Sequence, residues 1–188
     1  MKVLVACEFS GVVRDAFLAA EHDAWSCDLL ASERGGNHIR CDAREVLNSG
    51  WDLLIAHPPC TDLAVSGARW FASKLAADPH CQERALDLVR VFLDAPIPRI
   101  CVENPVSIIS SRIRKPDQIV QPWWFGHPEV KATCLWTQGL PPLKPTNVVE
   151  GRMARVHRMP PGPDRWKERS RTLPGLAAAM VEQWGSLT

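Results

Sequence analysis

The sequence predicts a single-domain α/β fold with a mostly parallel sheet, and three observations support this. Short apolar runs typical of buried strands alternate with segments whose apolar residues recur at helical spacing. The 188 residues suffice for one domain and are few for two. A content of 46% hydrophobic and 23% charged residues is ordinary for a globular protein.

The strand–helix alternation occupies the first 106 residues. Strands are expected at residues 2–7, 23–28, 39–41, 51–56 and 99–102, and helices at 12–20 and 80–94. Because these strands are separated by helices or longer loops, they should pair in parallel through right-handed crossovers.

Residues 107–171 are rich in proline and are predicted to be irregular, which makes them a candidate region for substrate contact. Within them, 131–136 reads as a strand, 141–147 as extended chain and 148–166 as a loop. A last helix is expected within 172–185, with Thr172 as its N-cap and Gly185 at its end.

Cysteine usage and hydropathy exclude several classes of protein. The seven cysteines are an odd, widely spaced set without a Cys-x-x-Cys pair, so neither a zinc site nor a disulfide framework is expected. No apolar run reaches the roughly 18 residues of a membrane helix, and the N-terminus reads as a strand, not a signal peptide. We expect a cytoplasmic protein without metal or membrane contact.

Charge is nearly balanced overall, at +1, but not locally. Residues 152–171 carry seven arginines and lysines against Asp164 and Glu168. Such a segment could meet phosphates, although a charge run alone is more often a solvated surface.

Candidate functional residues, most of them polar, follow the ends of the predicted strands. They are Phe9 to Gly11, Asp28, Asp42, Cys60 and the pair Glu103-Asn104. Ligands of open α/β sheets bind at this edge, so these residues are expected to form one site.

Cys60 and Glu103 suggest the chemistry of that site. Two prolines before Cys60 stiffen the turn and would hold a nucleophilic thiol in place, although a buried structural cysteine is an equal alternative. Methylation of cytosine at C5 needs a nucleophile at C6 and a carboxyl group at N3, which a cysteine and a glutamate at adjacent strand ends could provide.

Three segments resemble DNA cytosine-5 methyltransferases, most closely the short phage and prophage forms. Residues 7–11 (Cys-Glu-Phe-Ser-Gly) resemble the first cofactor loop, Pro58-Pro59-Cys60 with Ser66-Gly67 the catalytic loop, and residues 101–106 the Glu-Asn motif. The resemblance implies a Rossmann-like methyltransferase fold for residues 1–188, with a cofactor and catalytic core at 1–106.

The resemblance also implies S-adenosylmethionine as cofactor, DNA as partner and a role for individual residues. Cys60 would attack C6, Glu103 would bond N3 and Asn104 would order the catalytic loop. The implied cofactor-binding residues are Phe9, Ser10, Gly11, Asp28, Asp42 and Pro58. Candidate substrate-binding residues are Ser66, Arg112, Arg114, Lys131, Arg169 and Arg171.

The sequence also departs from the family. Val12 and Val13 follow Gly11 in place of further glycines, and His57 stands where a small residue is usual. No Gln-x-Arg-x-Arg motif and no large target-reading region follow, so low or short sequence specificity is expected. Residues 170–175 could replace the family's C-terminal cofactor-side segment.

Three alternatives remain open. An amino-methyltransferase would place Asp or Asn before Pro-Pro and an aromatic residue after it, where this chain has His57 and Cys60. The same thiol chemistry could act on a free pyrimidine nucleotide or RNA, and a non-catalytic relative could keep the fold. The sequence leaves the oligomeric state open.

Overall fold

The computed structural model describes residues 1–187, which form one seven-stranded sheet with helices on both faces. The strands are β1 (Lys2–Ala6), β2 (Asp23–Cys27), β3 (His38–Ile39), β4 (Leu53–Ala56), β5 (Arg99–Pro105), β6 (Gln118–Val120) and β7 (Thr133–Gln138). The helices are α1 (Val12–Ala19), α2 (Phe71–Ala77), α3 (Cys81–Leu93), α4 (Ile109–Arg112), α5 (Arg155–Arg158), α6 (Arg165–Ser170) and α7 (Pro174–Trp184).

The strand order is β3-β2-β1-β4-β5-β7-β6. The first five strands are parallel, whereas β7 runs antiparallel to both β5 and β6. This is a Rossmann-like α/β arrangement, and the prediction of an α/β fold with a mostly parallel sheet is confirmed. Its parallel strands end at the same edge, which positions the candidate site.

The central strands are buried on both faces because helices cover each side. All four residues of β4 are buried, as a continuous apolar run between two helical layers requires. On one face α3 packs Leu86, Val89 and Phe92 against the sheet. On the other, Phe17 of α1 meets α7 in a second core.

Several expected boundaries were wrong. The weak third strand is only His38–Ile39, the fourth begins at Leu53, and the fifth continues to Pro105 because β7 pairs with it from Ile100 to Pro105. The expected loop at 148–166 contains α5 and the start of α6. No expectation covered α2 or β6, and α2 has no buried residue that would produce an apolar pattern.

The last helix begins one residue later than expected. Its N-cap is Leu173 and not Thr172, and Pro174 occupies the first turn, where a missing N–H costs nothing. Gly175 lies so close to Phe125, a residue distant in the sequence, that a Cβ there would stand 1.8 Å from the backbone oxygen of Phe125. Glycine is therefore required for α7 to dock in this position.

Helix α1 ends in a Schellman turn. The N–H of His22 donates to the carbonyl of Phe17 at 3.1 Å, and that of Glu21 to Leu18 at 3.0 Å. Glu21 adopts a φ of 62°, a left-handed conformation that glycine accepts with less strain.

None of the helices between residues 1 and 187 is both long and apolar enough to cross a membrane. All seven cysteines are free.

Candidate active site at the carboxyl ends of the strands

Glu8 organises the loop between β1 and α1. Its buried carboxylate, 4% exposed, accepts hydrogen bonds from the backbone N–H groups of Val13 at 2.7 Å and Arg14 at 3.2 Å. The Ser10 hydroxyl donates to the same carboxylate at 3.3 Å. These donors include N–H groups of the first turn of α1, which have no partner within the helix, so Glu8 caps the helix from a distance.

Gly11 lets the chain turn into α1. Its φ of 71° is left-handed, and a Cβ at this position would lie 2.5 Å from the guanidinium of Arg14. That guanidinium is itself buried and donates to the hydroxyls of Ser26 at 3.1 Å and Ser32 at 3.2 Å. The loop is therefore fixed to β2 and to the chain that follows it.

Helix α6 lies over the same loop. The rings of Phe9 and Trp166 are 5.6 Å apart at an interplanar angle of 52°. The Arg171 guanidinium donates to both carboxylate oxygens of Glu33 at 2.8 Å, and the backbone N–H of Glu33 donates to the Phe9 carbonyl at 2.9 Å. Part of the basic segment is thus packed against the site, and Arg171 is engaged in an ion pair.

Asp28 and Asp42 follow β2 and β3, and both carboxylates make local turns. Asp28 accepts from the backbone N–H of Leu30 at 2.9 Å, and Asp42 from that of Arg44 at 3.0 Å. Burial raises the pKa of Asp28, whereas hydrogen bonds from Arg44 lower the pKa of Asp42. Leu29, 67% exposed, adds an apolar surface beside Asp28.

The Pro-Pro-Cys turn is joined to the end of β5. The side-chain amide of Asn104 donates to the Pro58 carbonyl at 2.8 Å. After the turn, the N–H groups of Leu63 and Ala64 donate to the Cys60 carbonyl at 3.1 Å and 2.9 Å. These bonds hold the segment that carries the thiol against the segment that carries Glu103.

Glu103 forms a close pair with His57. The side chains of His57 and Glu103 are 9% and 13% exposed, respectively, and Nδ1 of His57 lies 3.0 Å from a carboxylate oxygen of Glu103. Burial raises the pKa of Glu103, but the hydrogen bond and charge of His57, with the charge of Lys131, outweigh it and lower the pKa overall. Glu103 is therefore ionised at neutral pH.

The electrostatic environment of Cys60 connects it to three predicted residues. Burial and the charge of Glu103 raise the pKa of the thiol, while Lys131 and Arg169 oppose that shift. Lys131 also donates to the backbone carbonyl of Arg171 at 3.3 Å, and it lines a small cavity with Glu103 and Thr172. The charges of Glu103, Lys131 and Arg169 thus all influence the Cys60 thiol, and Glu103 and Lys131 line the same cavity.

Other predicted residues lie elsewhere. Arg112 pairs with Glu83 of α3 at 3.4 Å, and Arg114 pairs with Asp117 at 2.7 Å and bonds to the carbonyl of Thr137. These contacts do not place either arginine with Cys60. Ser66 is exposed on a 3-10 helix (Val65–Trp70) beyond the Pro-Pro-Cys turn.

Sequence reasoning missed Glu8, and it saw His57 only as a departure. Glu8 lies inside the recognised first loop, and a buried acidic residue five and six positions before two helical N–H groups is the signal that could have revealed it. The pairing of His57 with Glu103 could be recognised only once the register of β4 and β5 was known. Within residues 1–187, no group of three or more His, Cys, Asp or Glu side chains is arranged to hold a metal ion.

The chain matches no protein-family model. No curated protein matches it. Among solved structures, it is similar to an E. coli protein described as a candidate DNA modification methyltransferase encoded within a prophage, with a TM-score of 0.48 and 12% identity. The similarity covers 86% of this chain and 55% of that one, so this chain spans little more than half the length of that protein. Similarity at this level does not determine function.

Proposed function

We propose that this protein is an S-adenosylmethionine-dependent methyltransferase that transfers a methyl group to C5 of cytosine in DNA through a covalent Cys60 adduct. The observation that carries the proposal is the position of Cys60 and Glu103 at the ends of the adjacent parallel strands β4 and β5, whose end segments are joined by the hydrogen bond from Asn104 to Pro58. The charges of Lys131 and Arg169 favour the thiolate form of Cys60. This combination provides the nucleophile, the N3 partner and the positive charge that the reaction requires.

The residues at the ends of β1 and β2 fit the cofactor. A half-buried carboxylate at Asp28 suits ribose hydroxyls, and the exposed Leu29 and Leu30 beside it suit the adenine face. Phe9 and Gly11 lie on the adjacent loop, where the backbone turns sharply. When bound there, the cofactor would supply an electrophilic methyl group.

Catalysis by the chain's own residues then follows from their positions. The Cys60 thiolate adds to C6 of cytosine, which makes C5 nucleophilic, and Glu103 holds a proton on N3 so that negative charge does not accumulate in the ring. Asn104 keeps the turn of Cys60 in place through Pro58. After methyl transfer, loss of the C5 proton releases Cys60.

The raised pKa of Cys60 means that the thiol is protonated in the free protein at neutral pH. Lys131 and Arg169 are side chains whose positive charge favours the thiolate, so in this reaction they would help to activate it as well as bind the base. Arg169 makes no hydrogen bond to another side chain within residues 1–187, which leaves its guanidinium available to a base or phosphate. It takes the place of the arginine motif missing from the sequence.

The experiment is nucleoside mass spectrometry of DNA from cells that express the wild-type protein, Cys60→Ser or Glu103→Gln. We expect 5-methylcytosine with the wild type only. Purified protein with labelled cofactor is then offered duplex DNA, single-stranded DNA, RNA and dCMP, in separate reactions. Methylation of RNA or dCMP alone would replace the DNA assignment, and full activity of Cys60→Ser would refute covalent catalysis. A failure to bind S-adenosylmethionine by calorimetry would remove the enzyme assignment.

A further inference from the structure

We propose that His57 is a positioning residue that holds the Glu103 carboxylate and supplies the proton that this carboxyl group passes to N3 of the base. The inference rests on the proposed function and adds to it a source for the proton. It is based on the geometry of a single buried pair at the carboxyl edge of the sheet.

The register of the sheet makes the pair. Strands β4 and β5 are parallel, with Ala56 opposite Val102, so His57 and Glu103 are the next residues along each strand. The backbone N–H of His57 continues the ladder by donating to the carbonyl of Ala6 at 2.9 Å. Neighbouring residues of adjacent strands share a face of the sheet, and Nδ1 of His57 is consequently 3.0 Å from Glu103.

His57 keeps one unsatisfied polar atom inside the protein. Its Nδ1 is paired with Glu103, but its Nε2 is buried and has no hydrogen-bond partner in the described chain. A buried polar atom without a partner is costly, and such atoms call for an explanation in terms of function. We therefore infer that the histidine serves the site in addition to offsetting the burial of the Glu103 carboxylate.

The chemistry of N3 requires a proton that Glu103 alone does not hold. Its lowered pKa leaves the carboxyl group ionised at neutral pH. In the proposed step, the single proton that the pair shares between Nδ1 of His57 and the Glu103 carboxylate passes through the carboxylate to N3 as Cys60 adds to C6. The N3–H bond forms, and the pair is left as a neutral imidazole and an ionised carboxylate. When Cys60 leaves, N3 returns the proton and the pair recovers its starting state, so no net proton is consumed.

Other titratable groups face the pair, and they set its charge balance. Lys131 stabilises the ionised carboxyl group, while Cys60 and the buried thiols of β5 and β7 are neutral neighbours whose pKa values the carboxylate raises. These thiols are Cys101 and Cys134, and Arg169 acts on Cys60. Within this set, His57 is the residue in direct hydrogen-bond contact with Glu103.

The test compares wild type with His57→Gln, which can keep the hydrogen bond but cannot carry the proton. The methylation rate of the variant at pH 7.5 should fall at least tenfold and recover as the pH is lowered, because Glu103 then takes its proton from solvent. A structural role would instead lower the rate equally at every pH, and that result would overturn the proposal. His80→Gln, at an exposed position before α3, is the matched control and should leave the pH profile unchanged.

A second measurement does not depend on activity. Carbon-13 NMR of labelled glutamate should show the pKa of Glu103 rising in His57→Gln, since a lowering charge has been removed; an unchanged pKa would also overturn the inference. If Gln is not accommodated, His57→Asn serves in both measurements. Failure of the proposed function would be separately visible, because the wild type would then neither methylate DNA nor form a Cys60 adduct with DNA that contains 5-fluorocytosine. In that base, fluorine replaces the hydrogen at C5 whose loss as a proton would release Cys60, so an adduct would persist.

Discussion

Replacement of Glu8 by alanine tests whether this carboxylate organises the loop before α1. The side chain is 4% exposed and accepts hydrogen bonds from the N–H groups of Val13 at 2.7 Å and Arg14 at 3.2 Å. Each buried N–H left without a partner costs about 1–3 kcal/mol, and water entering the vacated space offsets part of the loss. We therefore expect a destabilisation of about 2–4 kcal/mol. Glu8→Gln keeps one acceptor oxygen and should lose about 1–2 kcal/mol.

Urea unfolding followed by circular dichroism measures both variants. Glu45→Ala, at an exposed position of the 3-10 helix Ala43–Glu45, is the matched control and should change the free energy of unfolding by less than about 0.5 kcal/mol. Calorimetry with S-adenosylmethionine should show at least tenfold weaker binding to Glu8→Ala, because Phe9 and Gly11 lose their support. If Glu8→Ala unfolds like the control, the reasoning about this loop is refuted.

Three further predictions concern one side chain or one backbone position each. Burial and the charge of Glu103 raise the pKa of Cys60, so alkylation of Cys60 by iodoacetamide should be slow at pH 7.5 and should still accelerate above pH 9. Glu103→Gln should speed this alkylation. An equal rate in the variant would show that the Glu103 carboxylate does not act on the thiol. Glu21→Gly should stabilise the protein by about 1 kcal/mol, or about 2–4 °C in melting temperature, and a lower melting temperature would contradict the left-handed cap. Gly175→Ala gains about 1 kcal/mol in helix propensity, but its Cβ meets a backbone oxygen at 1.8 Å, an overpacking cost of about 1–3 kcal/mol. The melting temperature of this variant should therefore fall. Gly162→Ala, where a Cβ has nothing within 4 Å, is the control and should melt at the wild-type temperature.

The sequence revealed the sheet wherever burial leaves a pattern. β1 and β4 are continuous apolar runs between two helical layers, and α3 repeats its apolar residues at helical spacing. Helix α2 buries no residue, and β6 has only three, so neither leaves a pattern that could be read. The antiparallel direction of β7 depends on how the chain crosses after β5, which local sequence does not encode.

The site was predictable to the extent that it lies at strand ends. Cys60 follows β4, and Glu103 lies near the end of β5. A parallel sheet brings such positions to the same edge. Arg112, Arg114 and Lys131 could not be distinguished by sequence, since their separation from Cys60 depends on the path of the irregular region. In the structure, Arg112 pairs with Glu83 and Arg114 with Asp117, whereas the charge of Lys131 lowers the pKa of Cys60.

Helix α6 has a consequence for kinetics. It carries both Trp166, which packs on Phe9, and Arg169, whose charge acts on Cys60. In the proposed reaction, this one helix would border both the cofactor and the nucleic acid, so a nucleic acid held by Arg169 would restrict the exchange of the cofactor. We expect a compulsory order in which the cofactor binds before the nucleic acid. The demethylated form of the cofactor should then leave last and should inhibit competitively with respect to the cofactor.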